Sequence, residues 1–295
     1  MSLASSDWLH LDSGQLRAAV DPQGAQLSIL QDARGRDLLW DGNPAFWSGR
    51  APILFPIVGA LNGNAFRWQG RTYSLSKHGF ARGRRFEVVA AAASAARFRL
   101  KPDDETRAMY PFEFELDVEF ALNRSTLNVT ATARNTDSDL MPASLGFHPA
   151  FRWPLPDGSS RATHVIDFEH VESSPIRRLD GAGLLKPDAL PTPLQGSQLA
   201  LRDDLFTADA LIFDHLASRR VQYHGETGPR ITVSFPDATH LGIWTKPAAG
   251  FVCIEPWHGV ADPAGFTGEF NAKPGVHVVS PGNELVLTMT IEVEE

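Results

Sequence analysis

The chain has 295 residues, of which 43% are hydrophobic and 21% are charged, and its formal net charge at pH 7 is −8. This length and hydrophobic content allow a large buried core, either as one large all-β domain or as two domains of ordinary size. The acidic balance and the lack of a run rich in lysine and arginine exclude the basic surface that is typical of nucleic-acid-binding proteins, so no nucleic-acid partner is expected.

The first ten residues lack a basic start followed by an apolar core, so they are not typical of a secretory signal. Glycine, asparagine and proline mark tight turns at residues 41–44 and 61–64. The longest aliphatic stretch, residues 88–96, is far shorter than the roughly 20 residues that a membrane-spanning helix needs. We therefore expect a soluble protein of the cytoplasm with no membrane partner.

The first candidate functional residue is His78, which lies beside a glycine in the turn-like segment 77–82, four residues before Arg82. Histidines without an assigned task are common at protein surfaces. A solvated turn is therefore the simpler interpretation of this segment alone, and a contact with a substrate is the alternative.

Strand-like alternation is clearest in residues 112–120, where every second residue is apolar and each intervening one is acidic. The pattern recurs in residues 127–133, 231–235 and 285–293. Strands with one apolar and one polar face are typical of antiparallel sheets that have one solvated face. Long amphipathic helices are hard to find, so the chain is predicted to be all-β.

The second candidate is His148, a single imidazole among apolar and aromatic residues, held in an extended backbone by Pro149. A neutral histidine in a partly dry pocket is suited to donating or accepting a proton near neutral pH. A core histidine whose hydrogen bonds are satisfied explains the pattern equally well.

The third candidate is Glu255, which follows the apolar residues 251–254. Pro256 is expected to end this strand, because proline cannot donate a hydrogen bond to a ladder. Glu255 then either marks the exit of the strand into water or lies beside Trp257 in a dry environment, where its pKa would rise towards that of a general base. Cys253, the only cysteine, is interpreted as a small buried hydrophobic residue that can form no intrachain disulfide and no thiolate metal cluster.

The domain organisation follows from the distribution of 24 glycines and 21 prolines, which are spread along the chain and are not pooled in one linker. Further turns are predicted at 156–158 and 281–283. The least periodic segment, residues 172–201, is interpreted as an excursion over a sheet. We predict a single domain that covers residues 1–295, and no oligomeric state is predicted.

Seven segments in order carry a resemblance to a known family. They are GAQLS at 24–28 with Leu39 and Trp40, RAPILFP at 50–56 with Gly59, KHGFAR at 77–82, GFHPAF at 146–151, DALI at 209–212, LGIWTKP at 241–247 and CIEPW at 253–257. With these segments the chain resembles the aldose 1-epimerase (galactose mutarotase) family, and within it the bacterial branch related to LacX.

The resemblance implies a large antiparallel super-β-sandwich with a small-molecule sugar in an open groove on one sheet, and chemistry that needs no metal or organic cofactor. It implies that Glu255 is the general base and His148 the general acid of an aldose 1-epimerase. It implies substrate-binding positions at His78, Arg82, Arg50 and, less directly, Asp209. Flat aromatic rings suit the apolar faces of a pyranose, and Trp257 is expected to contact the sugar.

Several other functions are compatible with the same residues. His78, His148 and Glu255 are ligand types that could form a two-histidine, one-carboxylate metal site. Asp209 and Glu255 could be the paired carboxylates of a glycoside hydrolase or lyase. A sugar-binding protein without catalysis is a further alternative, because a fold does not guarantee its chemistry.

The substrate itself has an alternative within the epimerase class. A hexose 6-phosphate could be held by an arginine clamp. The candidate arginines for such a clamp are Arg50, Arg82, Arg84 and Arg85. Arg84 and Arg85 are more simply interpreted as part of a solvated turn, so a free hexose is preferred.

Overall fold

The computed structural model describes residues 7–156 and 159–295 of the chain. The predicted turn at 156–158 and the N-terminal segment considered above lie partly outside these residues. The strands are β1 (Leu9–Asp12), β2 (Arg17–Asp21), β3 (Gln26–Gln31), β4 (Ile53–Leu54), β5 (Ala65–Trp68), β6 (Arg71–Ser74), β7 (Glu87–Ala91), β8 (Ala95–Leu100), β9 (Phe114–Asn123), β10 (Thr126–Asn135), β11 (Met141–Ala143), β12 (Leu145–Phe147), β13 (Ala150–Arg152), β14 (Val165–Phe168), β15 (Gln198–Ala200), β16 (Leu211–Phe213), β17 (Arg220–His224), β18 (Arg230–Ser234), β19 (His240–Trp244), β20 (Phe251–His258), β21 (His277–Val279) and β22 (Glu284–Glu294).

Helical structure in the described residues is confined to short pieces. The α-helix α1 spans Asp104–Met109, and 3₁₀ helices span Asn62–Asn64, Ala81–Gly83, Arg161–Thr163, Asp203–Phe206 and Phe270–Ala272. No helix within the described ranges combines the length and the apolar composition that a bilayer crossing requires.

The alternating segments form the centre of a nine-stranded antiparallel sheet, in the order β15-β14-β17-β18-β22-β10-β9-β8-β7. In β9, Phe114, Leu116 and Val118 are buried, and the acidic residues between them are half-buried. Because side chains alternate between the two faces of a strand, this pattern covers one face of the sheet and leaves the other in contact with water. The predicted all-β class is confirmed.

The second large sheet has the order β16-β19-β20-β12-β4, and β13 also pairs with β20. Its strands pack against the nine-stranded sheet through one apolar cluster, to which β20 contributes Val252 and Ile254. The opposite face of β20 carries Cys253 and Trp257, which belong to two smaller clusters. The architecture is therefore the predicted antiparallel β-sandwich, and β20 is buried on both of its faces.

The predicted end of the strand at Pro256 is wrong, because β20 continues to His258. Pro256 is paired with Leu241 of β19 within an unbroken ladder. On the other side of β20, the amide of Ile254 donates to the carbonyl oxygen of Pro149. Backbone groups two residues apart in a strand point to the same neighbour, so the nitrogen of Pro256 faces this side as well. On that side Pro256 is opposite Phe147, and the paired residues of β12 and β20 end at Gly146 and Trp257, so the missing donor of proline falls at the end of that ladder.

The main apolar cluster contains residues from Leu11 near one end of the chain to Val293 near the other. We propose on this basis that the chain is one domain. The aperiodic segment before β15 is held to the second sheet by isolated bridges, such as the one between Arg177 and Ile212. It places Leu179 and Leu185 in a cluster with Trp257.

Candidate active site

The central strand β20 brings Glu255 opposite His148. Leu145 and Gly146 of β12 pair with His258 and Trp257, and Ala150 of β13 pairs with Cys253. The same register on both sides of the interruption places His148 directly across from Glu255. Directly opposed residues of antiparallel strands have their Cβ atoms about 5 Å apart, so their side chains on one face meet.

The two side chains form a buried pair in direct contact. His148 Nε2 lies 3.1 Å from Glu255 Oε2, and the exposed fractions of the side chains are 9% and 3%. Both residues line a pocket with a volume of about 160 Å³ on the outer face of the second sheet. An acid–base pair is thus present at a surface that a small molecule can reach.

Trp257 lines the same pocket, and two glycines on neighbouring strands make room for its indole. Gly146 is paired with Trp257 itself, and Gly242 of β19 is paired with Glu255. A Cβ atom at Gly146 would lie 2.8 Å from indole Cδ1, and one at Gly242 would lie 2.3 Å from indole Cη2. Any side chain at these two positions would therefore displace the indole.

Burial perturbs both members of the pair. It raises the pKa of Glu255 well above its ordinary value; the positive charge of Lys77 opposes this rise and the Asp209 carboxylate adds to it. The Trp257 indole N–H also favours the carboxylate weakly, without the geometry of a full hydrogen bond. Burial lowers the pKa of His148 to about 3, and the charges of Lys77 and Arg82 act in the same direction.

Both shifts have the same consequence for the number of protons in the site. A carboxyl group with a raised pKa and an imidazole with a lowered pKa favour a neutral pair, in which the carboxyl group keeps its proton and the imidazole takes up none. The two groups titrate as one unit, because they are in direct contact. Such a pair can take up one proton at one atom of a ligand while it releases one at another.

His78 reaches the pocket from a turn with a left-handed backbone, φ +67° at His78 and +72° at Gly79. A Cβ atom at Gly79 would lie 2.1 Å from the carbonyl oxygen of Phe55, so this turn requires glycine. The amide of Gly59 donates to His78 Nδ1 at 3.1 Å, which leaves Nε2 as the proton-bearing nitrogen. Burial lowers the pKa of His78 well below its ordinary value, so the ring is a neutral donor.

Charged residues line the pocket beyond the buried pair. Arg82 and Lys77 stand on the side of His78, and Arg82 Nη2 donates to the carbonyl oxygen of Lys77 at 2.9 Å. Asp209 contributes a carboxylate from a left-handed backbone position, φ +66°. Its segment is held by the buried Arg178, whose Nη1 donates to the carbonyl oxygen of Asp209 at 2.8 Å.

Arg50 does not line this pocket. Its Nη1 donates to the carbonyl oxygen of Ser28 at 2.8 Å, and its guanidinium lies 4.9 Å from the ring centroid of Trp8. The structure therefore brings together His148, Glu255, His78, Arg82, Asp209 and Trp257, whereas the Arg50 guanidinium binds backbone outside the pocket.

Comparison with known proteins shows the family to which the chain belongs. The sequence profile described as aldose 1-epimerase matches residues 7–271. The chain belongs to the aldose 1-epimerase family. It is 32% identical to the chromosomal LacX protein of Lactococcus lactis over 283 residues, which cover 92% of this chain and 95% of LacX.

Solved structures of other proteins agree with this assignment to the aldose 1-epimerase family. A galactose mutarotase related enzyme from Lactobacillus acidophilus has a TM-score of 0.90 at 30% identity, over 98% of this chain and 97% of that one. A galactose mutarotase-like protein from Lactobacillus casei has a TM-score of 0.90 at 30% identity, over 97% and 100% of the two chains. The fold and the family thus support a mutarotase-like, sugar-binding function.

Sequence reasoning missed Trp47 of this pocket and considered Trp244 only as one of several aromatic residues that could contact a ligand. The ring of Trp47 stacks on His148 with centroids 4.8 Å apart, and Trp244 meets the same imidazole edge-on at 5.8 Å. Lys77 was noted only as part of its motif. The pair Phe46-Trp47 within a polar turn was a signal for the first of them, because adjacent aromatics in a loop are often binding residues.

The residues that could hold a metal differ from the triad considered from the sequence. Donor atoms of His148, Cys253 and Glu255 all lie within 4.8 Å of one another. His78 Nδ1 accepts from a backbone amide. The metal-capable group at the edge of the pocket therefore contains the cysteine in place of the second histidine.

Proposed function

We propose that this protein interconverts the α and β anomers of a free hexose, with Glu255 as the general base and His148 as the general acid. The observation that carries the proposal is the contact of 3.1 Å between His148 Nε2 and Glu255 Oε2 in a pocket lined by Trp257. A pair that holds one proton is what anomer exchange needs, because its ring-opening step moves one proton from one sugar oxygen to another.

The proposed reaction opens the hemiacetal. Glu255, as the carboxylate, takes the proton of the C1 hydroxyl, and His148, as the imidazolium, protonates the ring oxygen, which breaks the C1–O5 bond. This step leaves a neutral carboxyl and a neutral imidazole, the form that burial favours. After rotation about C1–C2, the reverse transfers close the ring on the other face, so the enzyme gains and loses no net proton.

The reactive form differs from the neutral pair by one proton shifted from Glu255 to His148. The positive charge of Lys77 lowers the pKa of Glu255, which favours the carboxylate, and it also lowers the pKa of His148, which disfavours the imidazolium. His78 is proposed to donate from Nε2 to a sugar hydroxyl, since Gly59 occupies its other nitrogen. Trp257 is proposed to pack on an apolar face of the ring.

A free hexose is preferred to a phosphorylated one because the expected arginine clamp is largely engaged elsewhere. Arg84 Nη1 lies 2.6 Å from Glu105 Oε2, and Arg85 Nη2 lies 3.7 Å from Asp7 Oδ2. Arg50 binds backbone outside the pocket. Of the four arginines, Arg82 is the one that lines the pocket.

Glycoside cleavage is disfavoured by the partner of Glu255. Glycoside hydrolases pair a carboxylic acid with a second carboxylate about 5–9.5 Å away. Here the direct partner of Glu255 is the His148 imidazole, and Asp209 acts on it only through longer-range charge. The arrangement supports proton exchange at a free reducing end.

The test is exchange NMR between anomers across a panel of free aldoses and their 6-phosphates. We expect Glu255→Gln and His148→Asn each to lower kcat by more than about 100-fold, because each removes one proton-transfer group. The matched controls are Glu226→Gln and His215→Asn, which alter exposed residues. Near-normal rates in both pair variants, with folding confirmed by circular dichroism, would contradict the assignment.

A further inference from the structure

The buried pair has a third neighbour that the proposed reaction does not use. Cys253 lies two residues before Glu255 on the same face of β20, diagonal to His148 across the ladder. Donor atoms of the three residues lie within 4.8 Å of one another, and all three residues are buried. Of the imidazole nitrogens, Nε2 meets Glu255, and Nδ1 is buried without a hydrogen-bond partner.

We propose that Cys253, His148 and Glu255 form an inhibitory binding site for a borderline or soft divalent cation, of which Zn²⁺ is the type. Thiolate, imidazole and carboxylate are the three protein ligands that Zn²⁺ prefers, and three of them leave a fourth position open. That position faces the sugar pocket, because His148 and Glu255 both line it.

Charge balance favours such a complex in a dry site. One thiolate and one carboxylate neutralise the two positive charges of the cation, and the imidazole binds as a neutral ligand. Binding releases the thiol proton and the single proton of the pair to solvent, with no oxidation or reduction. The cation then occupies the atoms that carry the proton in the proposed reaction, which is why it inhibits.

Opposing forces limit the affinity of the site. Burial raises the pKa of the Cys253 thiol well above its ordinary value, so the cation must displace a firmly held proton. Lys77 and Arg82 place positive charge in the same pocket, which disfavours a cation, while Asp209 favours it. Donors up to 4.8 Å apart must also move closer, since Zn²⁺ holds its ligands at about 2.0–2.3 Å.

The first test measures binding directly and does not depend on the proposed function. Co²⁺ is titrated into the full chain after treatment with EDTA, and the absorption spectrum is recorded. We expect a thiolate-to-cobalt charge-transfer band in the native protein and its loss in Cys253→Ser. The band has one source, because the chain contains a single cysteine. A native spectrum without this band overturns the proposal.

The second test measures inhibition and rests on the proposed function. We expect Zn²⁺ to inhibit anomer exchange, EDTA to restore it, and Mg²⁺, a cation that prefers oxygen ligands, to have no effect. Cys253→Ser and Cys253→Ala should retain kcat/KM within about twofold and require at least about tenfold more Zn²⁺ for half-inhibition.

The control variant is His215→Gln, which removes an exposed histidine and should respond to Zn²⁺ like the native protein. Inhibition that is equal in the native protein and in both Cys253 variants would assign the effect to another site and overturn the proposal. If the native protein exchanges no anomers, the proposed function fails, and the cobalt spectrum still decides whether the metal site exists.

Discussion

Two arginines near the pocket differ in where their guanidinium groups lie. Arg50 is anchored to the carbonyl oxygen of Ser28 and lies over Trp8, and burial lowers its pKa. Arg82 donates to the carbonyl oxygen of Lys77 and lines the pocket, and burial lowers its pKa as well. Both guanidinium groups bind a backbone carbonyl oxygen, but that of Arg82 also lies along the pocket wall, where it is placed to meet a ligand.

We predict that Arg82→Ala raises KM for the sugar about tenfold, the loss expected for one charge-assisted hydrogen bond. Arg50→Ala should leave KM within about twofold and lower the free energy of unfolding by about 1–2 kcal/mol. Exchange NMR gives the kinetic constants, and urea unfolding gives the stability. An Arg82 variant with unchanged constants would contradict a binding role.

At the scale of elements, the site depends on how three strands share one face of the second sheet. β20 presents Glu255 and Trp257, β12 presents Gly146, and β19 presents Gly242. The large side chain and the two glycines are complementary, since the indole occupies the space that side chains at both glycines would fill. The position of the pocket wall is therefore set by residues without side chains.

We predict that Gly242→Ala lowers kcat/KM at least about tenfold, because its Cβ atom would meet indole Cη2 at 2.3 Å and push Trp257 out of position. Overpacking of this kind typically costs about 1–3 kcal/mol of stability. The matched control is Gly181→Ala, where an added Cβ meets nothing within 4 Å. Wild-type kinetics and thermal stability in Gly242→Ala would show that the indole can move without consequence.

At the scale of the whole molecule, buried and half-buried histidines link stability to pH. Burial lowers the pKa of His148 to about 3, and those of His240 and His258 to about 4. In the unfolded chain these groups take up protons below about pH 6.5, whereas in the folded protein they remain neutral. Their contribution to stability is therefore complete above pH 6.5 and is lost as the pH falls towards the folded values.

We predict that the free energy of unfolding of His258→Gln changes less steeply with pH than that of the native protein between about pH 6.5 and 4. The expected difference in slope is about 1.4 kcal/mol per pH unit, the value for one proton. Urea unfolding at several pH values measures the slope. His258 Nε2 donates to Val286, so the variant should also lose stability at neutral pH. The control variant His215→Gln alters an exposed residue and should keep the slope of the native protein. An unchanged slope in His258→Gln would contradict a His258 that stays neutral in the folded protein.

The strands with one solvated face could be predicted from the sequence, because a strand buried on a single face has apolar and polar residues in alternation. The strands β9, β10 and β22 show this pattern. The strand that positions the site could not be delimited in this way. All eight residues of β20 are buried, so neither of its faces is solvated and the alternation of apolar and polar residues disappears. Pro256 then suggested an end, but its missing donor falls where the pairing with β12 stops, and the ladder with β19 continues past it.

The sequence by itself determined the fold class, the family and the residue types available for proton transfer, since these depend on local pattern and on motifs. Only the tertiary structure decided that His148 opposes Glu255, that Cys253 lies beside them and that the Arg50 guanidinium binds elsewhere. The physical reason is that these contacts join strands far apart in the chain. Their register is set by the packing of whole sheets, which no local segment encodes.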